Sequence, residues 1–110
     1  MEFEYSPREV ARLLAEHKLQ LVDVRQPDEY EAGRIAEARP IELRELSARA
    51  GELDPAGPLV FYCRSGARSA MATQAFREAG YEAYNMVGGL LQWQAEGLPL
   101  EPHDGHVAGH

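Results

Sequence analysis

Three short apolar runs, LQLVDV, LVFYC and YEAYNMV, alternate along the chain with stretches of helical periodicity. That alternation is the strongest constraint on the fold. Strands separated by helix-length connections pair in parallel, and the connecting helices cover both faces of the sheet. LVFYC, apolar throughout, is the clearest of these buried strands.

The connecting segments carry their own signals. In YSPREVARLLAEH, Ser6 is an N-cap, Pro7 suits the first helical position and Glu9 completes a capping box. Val10, Leu13 and Leu14 then give the helix one apolar face. PDEYEAG predicts a short helix opened by Pro27 and stopped by Gly33. ARPIEL holds only a brief strand, because Pro40 lacks an N–H and is confined to an edge or a strand start. LRELSARAG reads as helical and DPAGP as a turn. A helix follows from Ala67, with Ala72, Ala75, Phe76 and Ala79 at helical spacing and Gly80 as its stop. GGLLQWQAEG predicts a last short helix. Residues 1–100 are read as one domain, with Pro99 closing the folded part and 101–110 as a flexible tail.

Composition narrows the function. At 110 residues with 45 % hydrophobic content, one domain has a sufficient core. A net charge of −7 argues against a broad nucleic-acid or membrane surface, which needs a basic face. No apolar run is long enough to span a bilayer, and MEFEYSPREV does not read as a signal peptide. A single cysteine excludes an internal disulfide and points to a reducing cytoplasm.

That cysteine, Cys63, ends the LVFYC strand and opens the loop CRSGARS. Ligands of open α/β sheets bind beyond the carboxyl ends of the strands, and Cys63 stands at one. Arg64, Ser65, Gly66 and Ala67 form a tight turn before the helix, with Gly66 free to adopt a positive φ. Amides curling around a point, backed by a helix start, make an anion cradle. Arg64 and Arg68 add permanent positive charge. All of these favour thiolate over thiol, so Cys63 is read as a nucleophile in an anion-binding loop. Cys63 and Arg68 are separated by four residues, where cysteine-dependent phosphatases place five. The smaller ring suits a single sulfur atom on Sγ better than a phosphoryl group.

At this point the chain resembles the rhodanese-like sulfurtransferases. CRSGARS is similar to that family's active-site loop, DVRQPDEYEAGRI to its upstream signature, and GGLLQW to its glycine–glycine–tryptophan segment. In order, the three cover roughly Tyr5 to Leu98. Where the family often has histidine, isoleucine, glycine and alanine, this chain has GRIAEARPI, with Arg34, Glu37 and Ala38. The resemblance implies a three-layer α/β/α fold around a mostly parallel sheet of about five strands. It also implies a persulfide cycle without metal or organic cofactor: Cys63 takes the sulfane sulfur of a donor such as thiosulfate and passes it to cyanide, a thiol or a protein. Amides from Arg64 through Ser69 would hold the persulfide, and Arg64 or Arg68 would attract the donor.

Other residues have simpler expectations. Asp23 is expected to orient the loop by pairing with Arg64 or Arg68, with a plain cap as the alternative. Arg25 is expected to pair with Glu29. Ser65 and Ser69 could each donate a hydroxyl to the site, with a cap of its own helix turn as the favoured reading for Ser69. Trp93 is read as a core aromatic, and Gly88 and Gly89 as a tight turn. His103, His106 and His110 are not read as a metal site. The alternatives to an enzyme are a non-catalytic or partner-dependent sulfur-relay module and, disfavoured by the loop spacing, a small cysteine phosphatase.

Overall fold

The computed structural model describes residues 3–109. Five strands, β1 (Glu4–Tyr5), β2 (Gln20–Asp23), β3 (Arg39–Pro40), β4 (Leu59–Tyr62) and β5 (Ala83–Met86), form one sheet in the order β1-β5-β4-β2-β3. Every pairing is parallel, and β2 lies beside β4 with Asp23 opposite Tyr62. The helices are α1 (Pro7–Ala15), α2 (Pro27–Ala32), α3 (Leu46–Arg49), α4 (Ala67–Glu78) and α5 (Gly89–Ala95).

Side chains alternate across the sheet, so each strand feeds two cores. On one face Val22, Val24, Leu59, Phe61 and Cys63 pack with Leu46 of α3 and with Ala72 and Phe76 of α4. On the other, Leu21, Val60, Tyr62 and Met86 pack with Val10 of α1 and with Leu90 and Trp93 of α5. The α/β/α layering expected from the alternation is present. Among the described residues no helix is long and apolar enough to cross a membrane.

Local signals are realised closely. Ser6 Oγ accepts the Glu9 amide at 3.2 Å while Glu9 Oε1 accepts the Ser6 amide at 2.9 Å, completing the capping box. Pro40 lies on the sheet's edge strand. LRELSARAG, expected as one helix, is a single turn of α-helix flanked by 3-10 turns at Leu43–Glu45 and Ala50–Glu52. Strand β1 was not anticipated; two residues are too few to show a period.

Residues beyond Pro99 depart from the expected tail. Glu101 and Arg34 exchange backbone hydrogen bonds at 2.9 and 2.7 Å, and the His106 amide donates to Ala32 O at 2.9 Å. Leu100 and Val107 pack against the α1/α5 core. Burial of these apolar residues holds the segment to the domain; His110 lies outside the described residues. Gly33 has no Cβ where the backbone of His106 crosses it. A methyl there would stand 2.8 Å from His106 N and closer to His106 O. Gly33→Ala is therefore expected to lift this segment at a cost of about 1 kcal/mol. Hydrogen exchange reads it: the His106 amide should exchange faster, and unchanged protection would refute the clash.

Candidate active site

Cys63 follows β4 directly and is only 1 % exposed. Its Sγ accepts the Gly66 amide at 3.1 Å and the Ser69 hydroxyl at 3.4 Å. Gly66 adopts φ +105°, a region that L side chains rarely enter, and this turn brings its N–H back over the sulfur. Of the two readings for Ser69, the site hydroxyl holds: from the first turn of α4 it points its hydroxyl at Sγ rather than capping its own helix. Burial is the largest influence on the thiol and pushes its pKa up. The Ser69 hydroxyl and the amides of Ser69, Gly66 and Ser65 together outweigh it, so the pKa lies below its ordinary value. The sequence credits the loop amides, the helix start and the arginine charges together; the leading influences are burial, the Ser69 hydroxyl and the loop amides, with no arginine among them.

The arginines do different work. Arg68 makes a bidentate pair with Glu29 of α2, at 2.8 and 3.0 Å, and Glu29 is fully buried. Glu29 also accepts the Gln26 amide at 3.1 Å. Asp23 pairs with neither loop arginine. Its carboxylate accepts Arg25 Nε and Nη2 at 2.9 and 2.6 Å, inside the protein. Arg25 does not pair with Glu29 either; its second contact from Nη2 is Gly33 O, at 2.8 Å. Both expected pairings are corrected. Arg25 lies in the bend between β2 and α2, outside the helix that carries Glu29, and there its guanidinium meets the Asp23 carboxylate. Asp23 and Arg25 thus brace the end of α2, and α2 presents Glu29 to the loop.

Arg64 makes no side-chain hydrogen bond among the described residues, and its Nε is buried without a partner. Its backbone is held from below. The amides of Leu90 and Leu91 donate to Cys63 O and Arg64 O at 2.9 and 3.0 Å. This contact explains Gly89. At φ +61° it passes so close that a Cβ would lie 2.5 Å from Arg64 O and 2.6 Å from Cys63 O. The expected turn is present, and it is also the floor of the site. Trp93 is buried as expected, with Nε1 donating to Pro99 O at 2.9 Å.

Sequence reasoning missed Glu29 as the partner of Arg68, and it missed Asn85 of β5, whose Nδ2 donates to Gly66 O at 3.3 Å. Glu29 had a signal in the acidic helix PDEYEAG; for Asn85 the only hint was a lone polar residue in an apolar strand.

Residues 6–96, which span all of these elements but β1, match the rhodanese-like domain family. The chain belongs to that family. This rhodanese-like domain is 43 % identical over 77 residues to the uncharacterized protein YqhL of Bacillus subtilis, covering 69 % of this chain and 61 % of that protein. A protein of Allochromatium vinosum named sulfurtransferase is 35 % identical over 95 residues, or 86 % of this chain and 89 % of its own. Among solved structures, a rhodanese-related protein from Thermoplasma volcanium superposes with a TM-score of 0.82 at 26 % identity. That match covers 88 % of this chain and 95 % of the other.

Proposed function

We propose that this rhodanese-like domain is a sulfurtransferase that carries sulfur as a persulfide on Cys63. The observation that carries the reading is the buried Sγ receiving the Gly66 amide at 3.1 Å and the Ser69 hydroxyl at 3.4 Å. Preorganised donors around a sulfur stabilise the anion that attacks and the anion that remains. With thiosulfate as donor, the Cys63 thiolate attacks the outer sulfur and a new S–S bond forms. The original S–S bond breaks, and its electron pair leaves on sulfite. Cyanide or a thiolate then attacks the outer sulfur of the persulfide and restores the Cys63 thiolate.

Arg68 is neutralised by Glu29, so Arg64, which has no carboxylate partner among the described residues, is the loop cation left to attract an anionic donor. Ser65, Ala67 and Ser69 complete the loop, and Asp23 and Arg25 orient it through α2. The sulfurtransferase name of the Allochromatium relative supports the same chemistry.

Mass spectrometry tests the reading. After incubation with thiosulfate, Cys63 is expected to have gained one sulfur atom, and added cyanide is expected to release it as thiocyanate. An unmodified thiol after thiosulfate would refute thiosulfate as donor. A persulfide accepted only from another protein would favour the relay module.

A further inference from the structure

Asn85 is the only asparagine in the chain, and it is buried at 3 % exposure in β5. Its Nδ2 donates to Gly66 O at 3.3 Å, while its Oδ1 is buried without a partner. Gly66 O already accepts the Ala70 amide at 3.0 Å, so it would be satisfied without Asn85. An amide with one end unpaired is a poor choice for stability, because an apolar side chain of the same shape would strand nothing. What Asn85 provides is a second grip on a glycine at φ +105° that has no side chain of its own to hold it.

We propose that Asn85 is a positioning residue for the Cys63 loop, pinning Gly66 so that its N–H stays directed at Sγ. This rests on the reading of Cys63 as a nucleophile and adds a residue from outside the loop. The Gly66 N–H is one of the donors that hold the thiol below its ordinary value. A Gly66 free to rock would spend part of its time turned away, and the sulfur would hold its proton longer. Arg64 and the Glu29–Arg68 pair, the charged groups around the loop, are left in place by a change at Asn85.

Asn85→Leu keeps the branched shape and removes both the grip and the unpaired Oδ1. The pH profile of Cys63 alkylation by iodoacetamide is expected to move up by about one unit, which leaves about tenfold less thiolate at pH values below the wild-type folded value. Sulfur transfer is expected to fall by a similar factor, while the thermal midpoint stays level or rises. An alkylation profile unmoved in folded Asn85→Leu would overturn the proposal, whatever the thermal midpoint does. If the leucine does not fit, Asn85→Ala gives the same expected profile with a lowered midpoint from the space it leaves. Alkylation needs no sulfur chemistry. A shifted profile in a protein that transfers no sulfur would sink the proposed function and leave the role of Asn85 standing.

Discussion

Cys63→Ser is expected to reduce thiocyanate formation to the level of the uncatalysed mixture while the domain stays folded. A hydroxyl at this position cannot form a persulfide, and at neutral pH it is not ionised. Serine can still accept the Gly66 amide, so the cost in stability is expected to be about 1 kcal/mol. That cost should depend on pH, with a sign set by the thiol. Its pKa is lowered in the folded chain from an ordinary value of 9.0. The unfolded state therefore binds more protons between the folded value and 9.0. The thiolate's contribution is fully present above 9.0 and is lost as pH falls through the folded value. The stability gap between wild type and Cys63→Ser should widen as pH rises through the folded value toward 9.0, as read by urea midpoints under reductant. A constant gap would show that Sγ is not held as an anion, and residual thiocyanate at the wild-type rate would remove Cys63 from the chemistry.

Arg68→Ala is expected to lower stability strongly. It strands the carboxylate of Glu29, which is fully buried, while Arg68 itself keeps 22 % of its side chain in water. Breaking such a pair from one side costs about 3 kcal/mol, or roughly 12–20 °C in thermal midpoint for a domain of this size. The pH dependence should reverse. Burial is the strongest influence on Glu29 and pushes its carboxyl up, but Arg68, the Gln26 amide and Arg25 together bring it below 4.5. In wild type its contribution is present above 4.5 and lost as pH falls through the lowered folded value. Without Arg68 burial dominates and the folded value rises above 4.5. The carboxyl then opposes folding as pH climbs through that raised value. Urea midpoints should show Arg68→Ala more stable at about pH 5 than at about pH 7. A cost equal at both would mean that the arginine's charge is not what Glu29 requires.

Much of this was legible in the sequence because it is local. The capping box at Ser6 and Glu9, the stop at Gly80 and the turn at Gly66 each involve residues a few positions apart, and local hydrogen bonding and backbone freedom decide them. The loop was legible because Cys63, Gly66 and Ser69 lie within seven consecutive residues. Long-range pairings were not. Arg25 is four residues from Glu29, which suggests a helical pair, but Arg25 leaves a strand end and the helix begins only at Pro27. Glu29 was free to take Arg68, 39 residues away, and Asp23 to take Arg25. Asn85 reaches Gly66 from the strand beside β4, a relation that only the pairing of β5 with β4 creates. The two residues of β1 and the docked segment after Pro99 are stabilised by what they lie against, and neither has a periodicity of its own.

The amides of Leu90 and Leu91 that hold the carbonyls of Cys63 and Arg64 bear on how the protein is made. Synthesis delivers the cysteine well before the turn that supports it, and domains fold largely as units. Until GGLLQW has emerged and closed beneath the loop, the carbonyls of Cys63 and Arg64 lack the amides that hold them in the finished domain. The loop is completed only once α5 has formed, and a chain that stops before Leu90 lacks the floor on which Cys63 and Arg64 rest.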